Sequence, residues 1–262
     1  MTPTVEQFRS LTYYDIAPEP VELRDGHWVG SPFVEGSHDR LVVDLVEELI
    51  DFGDLNGDGV DDAAVLLTAS SAATADSLWV AAVGAPLGQP SNYGSAPVGE
   101  RTQIRSMAIT ENGWIRMEVV DGPPGKPPEQ LWIKEWALVE GNLMQVSALV
   151  VEPLSTAVLR GVDWVLSGEP QVTARFEEGQ ITGSSGCNSY FADFSGGEPG
   201  RIRIGEIAGT RKACPPPTLE LEKTVLTRLR ASTGYGFHMG KLALSWEESD
   251  QSGTLLFEAA SM

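Results

Sequence analysis

The densest run of oxygen donors in this 262-residue chain is Asp54-Leu55-Asn56-Gly57-Asp58-Gly59-Val60-Asp61-Asp62. Side-chain oxygens fall at positions 1, 3, 5 and 9 of the run, with a glycine at 6 and a main-chain carbonyl at 7. These are the offsets at which a calcium loop supplies its ligands. Calcium takes about six to eight hard oxygens around a tight turn, and the glycine lets the chain double back without a Cβ clash. The spacing therefore nominates Asp54, Asn56, Asp58, the Val60 carbonyl and Asp62 as ligands of a structural calcium ion, with Asp51 or Asp61 as further oxygens. Position 12 is Val65, so the bidentate glutamate of a helix–loop–helix calcium site is missing. An Asx-rich turn, in which the same carboxylates bond nearby N–H groups and hold no ion, fits the spacing as well.

Cys187 and Cys214 are the two cysteines of the chain. One follows a Gly/Ser turn and the other precedes a proline run, an arrangement that suits a disulfide in a β-rich module exported to an oxidising compartment. Two buried free thiols are the alternative. Gly183-Ser184-Ser185-Gly186 is not a nucleophile elbow, because Gly-x-Ser-x-Gly would need glycine where Cys187 stands. His27, His38 and His238 lie far apart without metal-ligand spacing. Glu47-Glu48 and Glu247-Glu248 would point to opposite faces of a strand, so neither reads as an acid/base pair. No phosphate-binding glycine loop and no dinucleotide fingerprint occurs. The residues thus point to a protein that is not an enzyme. Trp132, Lys134 and Trp136 share strand parity, and that mixed face is the candidate binding surface for a protein or glycan.

The elements that must hold these groups are short apolar–polar alternations bounded by turn residues, which reads as mainly β with few helices. Asp25-Gly26, Asn112-Gly113, Gly141-Asn142, Glu178-Gly179 and Met239-Gly240 mark hairpin connections. Gly84 to Glu100 and Asp121 to Glu129 read as surface loops, the second because Gly-Pro-Pro-Gly-Lys-Pro-Pro lacks the N–H groups of a ladder. Val5 to Leu11 suggests a short helix. After the three prolines at 215–217, Thr218 reads as the cap of a longer helix whose Leu221, Val225, Leu226 and Leu229 form an apolar stripe.

Charge divides the chain. Residues 1–152 hold 24 acidic and 8 basic side chains, a net of −16, and residues 153–262 hold 13 and 10, a net of −3. With Glu152-Pro153 closing the acidic part, two β-rich domains are expected, 1–152 and 153–262. An overall charge of −19 repels a phosphate backbone and argues against nucleic acid as partner. No apolar run of about 18 residues is present to span a bilayer. Met1-Thr2-Pro3-Thr4 has no charged and apolar leader character, and a removed leader of lipoprotein type is expected.

From about Leu159 onward the order of Trp164, Gly186-Cys187-Asn188, Thr210-Arg211-Lys212-Ala213-Cys214, a Glu222-bearing helix and a closing hairpin resembles the META domain (HslJ-like) family. The resemblance implies a compact β-rich domain with one packed helix, of a kind found in bacterial envelope proteins and lipoproteins and tied to stress response, with no established catalytic residues. Lys212-Ala213 departs from the family pattern, which often has a methionine there. The aspartate loop, followed by the apolar Ala63-Ala64-Val65-Leu66-Leu67, resembles the DxNGDGxxD loops of FG-GAP-type extracellular repeats, in a single copy. Together these readings imply an extracytoplasmic envelope lipoprotein (periplasmic, cell-surface or secreted) with a binding or maintenance role. The alternative is a secreted inhibitor or accessory module of a protease or glycan-active enzyme, acting through exposed loops such as Gly84 to Glu100.

Overall fold

Ala63 to Leu67 is apolar at every position, as a strand buried on both faces must be. In the computed structural model, which describes residues 2–72, 74–122 and 128–260, this run is the middle of a five-stranded antiparallel sheet and all five residues are fully buried. The chain divides into two compact units, residues 1–127 with 131–151, and residues 128–130 with 152–262. Both are built mainly of β-strands.

The first unit opens with helix α1 (Val5–Phe8) and the small pair β1 (Thr12–Tyr13) and β2 (Val21–Glu22). The five-stranded sheet follows in chain order: β3 (His27–Pro32), β4 (Arg40–Gly53), β5 (Asp62–Ser70), β6 (Ser77–Gly84) and β7 (Ser91–Glu100). A four-stranded sheet is made by β8 (Gln103–Ile109), β9 (Ile115–Asp121), β10 (Gln130–Val139) and β11 (Asn142–Pro153), with β11 and β8 at its edges. Phe8, Tyr13, Val21 and Leu23 pack on the odd-numbered face of β5 and β6, through Ala63, Val65, Leu67, Ala81 and Val83. The even-numbered face, Ala64, Leu66, Val80 and Ala82, is equally buried. Asp51 of β4 ties the two sheets by accepting the Ile109 N–H of β8 at 2.6 Å.

Two expectations change here. The region Gly84 to Glu100 is not a loop: after one 3-10 turn (Pro86–Gly88) it is strand β7, paired along β6. Its Gly and Pro content disguised it, yet β7 is an edge strand, where a proline without N–H is tolerated, and two register shifts absorb its glycines. The segment named as an example of an exposed inhibitory loop is thus mostly a strand. The other proline-rich stretch expected as a loop, Asp121 to Glu129, falls largely on residues 123–127, outside the described residues.

The second unit is one sheet with a single long helix. Its strands are β12 (Asp163–Leu166), β13 (Thr173–Glu177), β14 (Gln180–Ser184), β15 (Ser189–Gly196), β16 (Ile202–Ile204), β17 (Ala208–Gly209), β18 (Ser232–His238), β19 (Lys241–Glu248) and β20 (Gln251–Ala259). The order β16-β15-β14-β13-β12-β20-β19-β18 nearly closes on itself, because Arg201 bridges Gly234 and the Tyr235 N–H donates to the Gly200 carbonyl at 2.8 Å. Helix α2 (Pro216–Arg230) buries Val225 and Leu229, as the stripe foretold. Its start is corrected: Pro216 and Pro217 occupy the first turn and Thr218 lies inside the helix, since proline's missing N–H costs nothing where no intrahelical bond forms.

Candidate functional site

The aspartate loop is organised by its own backbone amides. Asp54 Oδ1 accepts N–H groups from Gly57 at 2.7 Å and Asp58 at 3.2 Å, and Oδ2 accepts from Gly59 at 2.9 Å. Asn56 Oδ1 accepts the Asp58 N–H and Asp58 Oδ1 the Val60 N–H, each at 2.8 Å. The Gly59 amide above all, then those of Gly57 and Asp58, hold the Asp54 carboxyl below the usual carboxylate range, against a smaller opposing effect of desolvation.

Asp62 behaves differently. It is 2% exposed, and its Oδ2 accepts the Leu55 N–H at 3.1 Å across the mouth of the turn. Tyr93 from β7 lies beside its carboxylate, and Asn56 Nδ2 donates to the Tyr93 hydroxyl at 3.2 Å. Gly84 makes room for this pair: a Cβ there would collide with both the Tyr93 hydroxyl and Asp62 Oδ1. Desolvation first, then the negative charges of Asp58 and Asp54, push the Asp62 carboxyl upward. Among the described residues no lysine or arginine pairs with it.

The loop offers only oxygen donors, which is calcium's chemistry. Its side chains do not form a ready cage, since among the described residues no three His, Cys, Asp or Glu side chains are grouped to hold a metal.

The second assembly surrounds the cysteines. Cys187 and Cys214 are joined as a disulfide with Cα atoms 6.1 Å apart, 27 residues apart in sequence. Beside it Asn188, 5% exposed, links three segments. Its main-chain N–H and Nδ2 donate to Glu222 of α2 at 3.0 and 3.1 Å. Its Oδ1 accepts from the Thr210 hydroxyl at 2.8 Å and the Lys212 N–H at 2.7 Å. The fully buried Ser185 places its hydroxyl 2.6 Å from Glu222 Oε2 and 2.9 Å from the Asn188 carbonyl.

The Gly-Cys-Asn and Thr-x-x-x-Cys motifs are therefore two halves of one junction. The asparagine of the first receives the threonine of the second, and the helix glutamate closes the set. Glu222 and Ser185 are the members that sequence reasoning left without a role. The signal available for them was a lone acidic residue, one turn before Val225, on the inner side of α2.

The face of Trp132, Lys134 and Trp136 is largely turned inward. Trp136 is fully buried, and the Lys134 ammonium donates to the Val98 carbonyl at 2.8 Å and to Asp121 Oδ2 at 2.7 Å. Trp132 beside them is half-buried, and strand parity alone could not say which face was inner. His27 pairs its Nδ1 with Asp44 Oδ1 at 2.6 Å on the surface of the first unit.

Residues 154–261 match the model of the META domain. No curated protein matches the chain. Among solved structures, the NMR structure of a protein from Burkholderia xenovorans is 22% identical, covering 44% of this chain and 95% of its own, with a TM-score of 0.35. The junction that joins Cys187, Asn188, Thr210, Cys214 and Glu222 thus lies in the part of the chain, its second unit, that is similar to the META domain family.

Proposed function

We propose that this protein is a non-enzymatic component of the bacterial envelope, working outside the cytosol, lipid-anchored in its native form, and acting by binding a protein or glycan or by maintaining the envelope. The observation that carries the reading is the Cys187–Cys214 disulfide within a META-type unit. Disulfides persist in oxidising compartments and are reduced in the cytosol. Ser185 and Glu222 supply the hydroxyl and carboxylate that chemistry would want, but both are spent on Asn188 and the hydroxyl is buried. The junction supports cohesion rather than attack on a substrate.

A structural calcium ion at Asp54, Asn56, Asp58, the Val60 carbonyl and Asp62 belongs to the same proposal. Asp54 Oδ1 accepts two amide protons, but Asp54 Oδ2 and Asp58 Oδ1 accept one each and keep a lone pair for a cation. The buried Asp62, crowded by Asp54 and Asp58, has the most to gain from a cation.

The test is the thiol state and address of the protein in its native cells. Fractionation is expected to place it with the envelope, with an intact mass lighter by two hydrogens than after reduction. A reduced protein in the cytosolic fraction would overturn the reading.

A further inference from the structure

The chain between β16 and α2, Gly205 to Pro215, is a strap with no buried side chain. The Gly205 N–H donates to the Asp193 carbonyl at 2.8 Å, β17 pairs Ala208 and Gly209 with Phe191 and Tyr190, and the Thr210 N–H donates to the Ser189 carbonyl at 3.0 Å. Two further bonds end on one atom, Asn188 Oδ1, which accepts from the Thr210 hydroxyl and the Lys212 N–H. The bridge from Cys214 to Cys187 closes the far end of the strap. A segment that buries apolar side chains opens only with its core, whereas one that buries none opens by itself once its ties are cut.

We infer that the Cys187–Cys214 disulfide is a redox clasp, whose reduction lets the strap lift from Asn188 while the sheet of the second unit stays folded. The clasp rests on the bridge of the reading above and not on its cellular address, so it survives a protein found elsewhere with the bridge intact. Lifting the strap frees Asn188 Oδ1 and opens the outer side of the junction that Asn188 forms with Glu222 and Ser185.

The surroundings also set which sulfur is attacked. Asn188 Nδ2 donates one proton to Glu222 Oε1 at 3.1 Å and the other to Cys187 Sγ at 3.4 Å. A donor at that sulfur favours its thiolate, and the sulfur with the better stabilised thiolate is the one that leaves. Cys214 is then the point of attack. It follows Arg211 and Lys212, two exposed cations in a chain of net charge −19, and an attacking thiolate meets favourable charge there. A dithiol completes the step: one of its thiolates forms a mixed disulfide with Cys214 and expels the Cys187 thiolate. Its second thiol then displaces Cys214, and the reductant leaves as its own disulfide with its two protons left on the cysteines.

Hydrogen–deuterium exchange of the full chain, oxidised and in dithiothreitol, tests the clasp. In the reduced protein the Thr210 and Lys212 amides should exchange at least about tenfold faster, while those of β12 to β14 keep their protection. A brief pulse of glutathione followed by alkylation tests the order of attack, with glutathione expected on Cys214 and the alkyl group on Cys187. Strap amides that exchange alike in both states overturn the proposal, because the bridge then holds nothing that the hydrogen bonds do not. Exchange that rises throughout the second unit overturns it as well, since the bridge would then hold the whole fold. Glutathione found on Cys187 instead overturns the assignment of the leaving sulfur.

Discussion

At the scale of single residues, two buried polar side chains solve their desolvation in opposite ways. Asn188 uses both ends of its amide and its main-chain groups, so its burial is fully compensated. Asp62 accepts from the Leu55 N–H but remains a carboxyl raised by burial and by two neighbouring carboxylates. A carboxyl whose folded pKa is raised loses stability for the fold as pH climbs from its unfolded value, about 4, through its folded value, because the unfolded chain releases the proton first. Asp62→Asn removes that loss and keeps an oxygen for the Leu55 N–H. Urea denaturation should therefore show the wild-type protein falling behind D62N between pH 4 and pH 7. Calcium should erase the deficit in the wild type and leave D62N unmoved. Parallel pH dependences for the two proteins would show that Asp62 carries no such penalty, and an absent calcium effect would remove the ion.

At the scale of elements, turn chemistry and helix periodicity were the readable signals. The chain reverses at Asp25-Gly26 and Met239-Gly240 with positive φ at both central residues, 53° and 80°, then 45° and 81°. That is the twist antiparallel hairpins prefer, and glycine adopts it without cost at the second position. The third such hairpin turns one residue early, at Glu140-Gly141 rather than Gly141-Asn142. Strand β7 was hidden because edge pairing tolerates the glycines and proline that a central strand excludes. Asn92, buried at its start, bonds the Ala82 and Gly94 carbonyls and the Tyr14 N–H where the β6–β7 register shifts. Helix α2 shows the reverse case, a stripe legible from spacing and confirmed by burial. Leu229→Ala, at a fully buried position, should cost about 2–5 kcal/mol in chemical denaturation. Leu219→Ala, at a position 40% exposed on the same helix, should stay within about 0.5 kcal/mol. Equal losses would show that α2 does not dock by its predicted face.

At the scale of the whole molecule, the two units are stabilised by different means, apolar strands buried on both faces in the first and a covalent link beside a polar junction in the second. Replacing both cysteines by serine reopens a loop of 27 residues and should lower the stability of the second unit by about 3–4 kcal/mol. Thermal unfolding followed by tryptophan fluorescence should then show the transition involving Trp164 and Trp246 moved down and that of the first unit unchanged; a single transition shifted as a whole would mean the units unfold together. The β-rich class, the helix stripe and the META resemblance of the second half were legible in the sequence, because periodicity, turn residues and motif spacing are local properties of a chain. Which face of β10 points inward, that Gly84 to Glu100 pairs as a strand, and that Ser185 and Glu222 meet around Asn188 were decided by tertiary structure, because each depends on what packs against a residue from far along the chain.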